Sequence, residues 1–78
     1  MKHQNVEWRV RTVVAFWLHT DVEKVQEDTR FEEDLDADSL DCIEVIMGLE
    51  DEFEIEISDD DADKIKTVRQ AIDYVKGL

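Results

Sequence analysis

An all-α fold is predicted for this sequence: a small four-helix bundle, three main helices plus one short helix, with a long first loop. Three observations carry the prediction. The 78 residues include no proline and two glycines, so little in them interrupts a helix. Apolar residues recur at helical spacing in three separate stretches. The one alternating stretch, Glu54-Ile55-Glu56-Ile57, has no second strand to pair with and reads as an extended connector. A chain of this length makes a single domain, 1–78, near the lower limit for a core that stands without disulfides or metal.

The first helix is expected over 4–18, where Val6, Val10, Val13, Val14 and Leu18, with Trp17 beside them, form one face. Trp8 and Phe16 fall off that stripe. Residues 19–38 hold no sustained period; Val25, Phe31 and Leu35 punctuate them, as anchors do when a loop lies across a core. A second helix is expected over 39–53, with Cys42, Val45, Ile46, Leu49 and Phe53 inward. On it Leu40, Ile43 and Met47 make a separate apolar edge, flanked by Asp41, Glu44, Glu50 and Asp51. That is more apolar surface than folding needs, and such edges mark interaction sites. Gly48 is expected on the outer side, where a missing side chain allows a close approach. Ser58, with Asp61 as its partner, is read as the cap of a short acidic turn over 59–64. Thr67 caps a last helix to residue 76, with Val68, Ala71, Ile72 and Val75 inward and Gly77 as its stop.

Charge narrows the function. The formal net charge is −13, and between Phe31 and Asp63 there are sixteen Asp and Glu with no Lys or Arg. Such a surface repels phosphate backbones and anionic lipid, which argues against nucleic-acid and membrane partners. It steers basic protein surfaces toward it instead. The single Cys42 cannot form an internal disulfide and suits a reducing compartment. No apolar run approaches bilayer length, and the polar start lacks a secretory pattern. A soluble cytoplasmic monomer is the expectation.

Two kinds of site chemistry fail on inspection. Asp34, Asp36 and Asp38 alternate as the first ligands of an EF-hand do, but its glycine position holds Ser39 and its twelfth position Val45. No dedicated metal site is expected. Ser39 lacks a G-x-S-x-G elbow, and the chain offers His3 and His19 alone as bases, so the protein is not read as an enzyme. What remains is modification. A serine at the start of a helix presents its hydroxyl beside unsatisfied N–H groups, where an attached phosphodiester gains from the positive helix end. The plain alternative is that Asp38 or Ser39 is simply an N-cap.

The stretch Phe31-Glu32-Glu33-Asp34-Leu35-Asp36-Ala37-Asp38-Ser39-Leu40-Asp41 resembles the prosthetic-group region of acyl carrier proteins. The likeness continues through 43–53, Ile57, Lys64-Ile65, Thr67-Val68 and Ala71-Ile72-Asp73-Tyr74-Val75. The resemblance implies a carrier domain that is not itself an enzyme. It implies 4'-phosphopantetheine attached to Ser39 by a phosphopantetheinyl transferase, holding acyl groups as thioesters for fatty-acid or related lipid and polyketide biosynthesis. By the same resemblance Asp38, Asp41, Glu44, Glu50 and Asp51 match the acidic positions that dock basic-surfaced acyl-chain synthases and other acyl-handling enzymes. Leu40, Ile43, Met47 and Ile57 match the apolar docking edge, and inward positions can part to shelter an acyl chain. Four departures from the family pattern stand out: Asp36 where glycine is usual, Ser58 for proline, Gly48 for alanine, and the aromatic residues Trp8, Phe16 and Trp17 with His19. They suggest a specialised pathway. The alternative function is an acidic helical interaction module of the same fold whose serine stays unmodified.

Overall fold

A computed structural model describes residues 5–78. The expected start of the first helix at residue 4, and His3, lie outside that range. Among the described residues five α-helices follow in order: α1 (Val6–Trp17), α2 (Phe31–Leu35), α3 (Ser39–Phe53), α4 (Asp59–Ala62) and α5 (Val68–Lys76). The three main helices are those the apolar spacing predicts. No strand forms among the described residues, and Glu54–Ile57 is a connector that leaves α3 through Glu54 in the left-handed region, φ 55°. None of the described helices is long and apolar enough to cross a membrane.

α1 packs on both α3 and α5. The core is mainly aliphatic, with Val10, Val14, Val45, Leu49, Val68, Ala71 and Val75 fully or almost fully buried beside the rings of Phe31 and Phe53. Ala15 and Ala37 are also buried, though neither stands out in the sequence. Two cations of α1 are used inside the molecule. Arg9 donates to Glu52 Oε2 at 2.7 Å and to the Glu52 carbonyl at 2.8 Å, with its guanidinium 4.4 Å above the Phe53 ring. Arg11 donates to the carbonyls of Val25 (2.5 Å) and Val22 (3.2 Å), fastening the following segment to α1. α1 ends one residue before the predicted stop. Leu18 is its C-cap, and His19 turns the chain with φ 54°.

The segment 19–38 is more ordered than a loop. It contains a 3₁₀ turn, Val22–Lys24, and the five-residue α2. Both are too short for a period to show in sequence. Val25 and Phe31 are fully buried, as anchors should be, and Leu35 packs partly buried against the core. Arg30 holds the start of α2: its backbone N–H donates to Asp34 Oδ2 at 2.8 Å while its guanidinium pairs with the same carboxylate. The Arg30 side chain first, and its N–H second, keep the Asp34 carboxyl below its usual pKa. A depressed folded pKa makes this contribution present at neutral pH and lost as pH falls through it. The segment is also stitched to α5, since Phe31 N–H donates to the Lys66 carbonyl and Val68 N–H to that of Thr29, both at 3.0 Å.

One expectation is reversed. Gly48 is buried, not on the outer side. A Cβ there would lie 2.5 Å from Trp17 Cδ1, closer still to Trp17 Nε1, and 3.0 Å from Val13 Cγ1. The close approach that the missing side chain permits is that of α1 itself, through Trp17 and Val13. Gly48→Ala is therefore expected to lower the melting temperature, because overpacking costs about 1–3 kcal/mol against the ~1 kcal/mol that alanine gains in a helix. Thermal melts with and without Trp17→Ala check this. The penalty should shrink in the Trp17→Ala background, where Val13 Cγ1 is the close neighbour that remains, and a Gly48→Ala protein more stable than its parent would exclude the contact.

Charge is as lopsided in space as in sequence. Among the described residues, the carboxylates of 31–63 that reach a cation within 4 Å are Asp34 on Arg30 and Glu52 on Arg9. Added NaCl should accordingly raise the melting temperature by screening the remaining repulsion. A melt insensitive to salt would mean that the acidic surface costs the fold nothing.

Candidate functional site

The stretch Asp36-Ala37-Asp38-Ser39 is built by local rules. Asp36, in the left-handed region at φ 56°, closes α2; an aspartate tolerates this better than most residues. Ala37 then buries its methyl and donates its N–H to the Phe31 carbonyl at 3.0 Å. Asp38 caps α3 in a reciprocal box. Asp41 N–H donates to Asp38 Oδ1 at 2.8 Å, and Asp38 N–H to Asp41 Oδ2 at 3.1 Å. Asp38, then, is the cap. Ser39 is the first helical residue, exposed, and its side chain takes no part in the box. The Ser39 and Leu40 amides are the first-turn donors that the box leaves unused.

Beside Ser39 opens a cleft of about 380 Å³. Its apolar wall is Cys42, Ile43, Ile46 and Met47 of α3 with Ile57, Ala62 and Ile65 opposite, and its polar rim is Glu32, Glu50, Asp59, Asp63 and Lys66. Burial, followed by the charge of Glu32, pushes the Cys42 thiol above its ordinary pKa, against an opposing pull from Lys66. Next to the cleft residue Ala62, Asp61 Oδ2 accepts the Tyr74 hydroxyl at 3.0 Å, a proton kept on by burial first and by that bond second. This corrects the role expected of Asp61. Its backbone N–H does donate to Ser58 Oγ, at 3.2 Å, but its carboxylate serves Tyr74 and does not close a capping box.

The predicted site residues divide. Leu40, Ile43 and Met47 are each more than half exposed, an apolar strip running down α3 from Ser39. Asp38 and Asp51 are exposed, Asp41 and Glu44 half-buried. Ile57 departs from the expectation of an exposed edge: it is 8% exposed and belongs to the core, and its N–H donates to Glu50 Oε2 at 2.8 Å, which fastens the connector to α3. Glu50 is thus partly occupied inside the molecule. Ser39, Ile43, Met47, Glu50 and Ile57 share one cleft. Asp51 instead borders a second, shallower groove of about 350 Å³ with Phe16, Trp17 and Gly48. Cys42 and Lys66 were not visible as cleft residues in sequence. Cys42 had a signal, standing one helical turn after Ser39; Lys66, distant in the chain, had none.

Among the described residues no base hydrogen-bonds the Ser39 hydroxyl, and no three His, Cys, Asp or Glu side chains gather as a metal site requires. The geometry offers an accessible oxygen at a positive helix end, beside an apolar cleft. Residues 8–75 match the family described as phosphopantetheine attachment site. An acyl carrier protein from Buchnera aphidicola subsp. Schizaphis graminum is 48% identical over 71 residues, spanning 91% of this chain and 90% of that protein. With three main helices, a capped α3 and a match over nearly the whole chain, the protein belongs to the acyl carrier proteins, the phosphopantetheine-bearing family of carriers rather than enzymes.

Proposed function

We propose that the chain carries acyl groups on 4'-phosphopantetheine esterified to the hydroxyl of Ser39, and presents them to the enzymes of fatty-acid or related lipid and polyketide synthesis. The observation that carries this is that Ser39 is exposed at the first position of α3 while Asp38 and Asp41 supply the cap. Its hydroxyl is spared from structural duty. The residues present fit the group: two unused N–H donors and the dipole of a fifteen-residue helix favour a phosphodiester there, and the cleft begins at the same residue. When bound, the group supplies a thiol on a flexible tether that holds an acyl chain as a thioester. Cys42, Ile43, Ile46, Met47 and Ile57 line an apolar wall against which such a chain can exclude water.

Docking follows from the rest of α3. The exposed strip of Leu40, Ile43 and Met47, rimmed by Asp38, Asp41, Glu44, Glu50 and Asp51, suits a partner with apolar anchors inside a basic border. Such partners are a phosphopantetheinyl transferase and acyl-chain synthases. Ile57, being buried, supports the cleft instead of a contact. A monomer working in the cytoplasm accords with the charge of −13 and the unpaired Cys42.

The test is to incubate the protein with a phosphopantetheinyl transferase, coenzyme A and Mg²⁺, then weigh it intact and map the modified peptide. One added group on the peptide containing Ser39 is expected. No gain of mass with an enzyme competent on another carrier would leave the unmodified interaction module as the function.

A further inference from the structure

We infer that the ammonium of Lys66 is the protein's own counter-charge for the phosphodiester on Ser39, holding the root of the arm against the cleft; this rests on the reading of Ser39 just given. Lys66 and Ser39 line the same cleft, and among the residues lining it Lys66 is the one cation. Its backbone is held from two sides: the carbonyl accepts the Phe31 N–H at 3.0 Å and the N–H donates to Gln70 Oε1 at 2.7 Å. The backbone is fixed at the rim while the side chain is exposed. Although four carboxylates share the rim, the ammonium makes no ion pair within 4 Å among the described residues. Burial first and Glu32 second push the Cys42 thiol up, one turn beyond Ser39, and Lys66 opposes them.

Attaching the group adds an anion to a first turn that already holds Asp38 and Asp41, in a molecule of charge −13. The attractive partners within the site are the unused Ser39 and Leu40 amides and Lys66. The amides belong to any helix start. Lys66 is the side chain that distinguishes this cleft.

The experiment compares the unloaded protein with the protein loaded by transferase, with loading at Ser39 verified by mass, for the parent and for Lys66→Gln, Lys66→Glu and Lys66→Arg. At low ionic strength the change in melting temperature on loading should be most favourable in the parent and Lys66→Arg, lower by about 1–5 °C in Lys66→Gln, and lowest in Lys66→Glu. The differences should shrink in about 0.5 M NaCl. The ³¹P resonance of the loaded protein should move between parent and Lys66→Gln. A lysine with a purely structural role would shift both forms equally and leave that resonance in place. If all four proteins load at Ser39 and change alike, the Lys66 assignment is wrong while the carrier function stands. If the parent does not load at Ser39, both fall.

Discussion

Phe31→Ala is expected to remove most of the stability of the fold. The ring is 1% exposed, and deleting a buried phenylalanine costs about 3–5 kcal/mol. A 78-residue domain has roughly 4–12 kcal/mol in total at ~0.05–0.15 kcal/mol per residue. With 1 kcal/mol worth about 4–8 °C at this size, the melting temperature should fall by more than about 12 °C, or the transition should lose cooperativity. The damage should extend to the site. Phe31 N–H ties the segment to Lys66, and its carbonyl receives Ala37 N–H two residues before Ser39. Phe16→Ala is the control, because Phe16 is 71% exposed and should change stability by no more than about 0.5 kcal/mol. Circular-dichroism melts of the two variants decide the matter. Equal effects would mean that 19–38 is not anchored as described.

Ser39→Ala should do the opposite, abolishing the mass gain with transferase and coenzyme A while leaving the melt within about 0.5 kcal/mol of the parent. The reason is the division of labour at the start of α3. Asp38 and Asp41 satisfy each other's N–H groups, so the serine side chain is not needed to begin the helix. Asp38→Ala is the informative contrast, expected to cost about 1 kcal/mol through the lost cap while its Ser39 hydroxyl persists. A Ser39→Ala protein that still gains the group would place attachment elsewhere. One that melts well below its parent would make Ser39 a structural residue.

Much of this was legible in sequence because it is local. Val6, Val10, Val13 and Val14 announce α1, and Val68, Ala71, Ile72 and Val75 announce α5, by spacing alone. Thr67 caps α5 as expected, and Gln70 completes its box. α2 is hidden because five residues are too few for a period, and what holds it is Phe31 in the core and Arg30 reaching Asp34. Gly48 is misplaced because the residues that meet it, Trp17 and Val13, are distant in the chain, and Ile57 because the burial of its side chain depends on how the connector folds back on α3, where Glu50 accepts its N–H. Asp61 has two roles of which the chain shows one, since Ser58 stands three residues before it and Tyr74 thirteen residues after.

By itself the sequence determined the three main helices, the caps Ser58 and Thr67, the serine and the acidic character of the surface, since each depends on residues a few positions apart or on composition. The tertiary structure alone decided which apolar residues are free. Phe31 is covered and Phe16 exposed, Ile57 is drawn in and Ile43 left out, because coverage depends on elements distant in the chain. It also placed Ser39, Cys42 and Lys66 on one cleft, since a groove has no existence until α3 and the chain leading into α5 come to face each other.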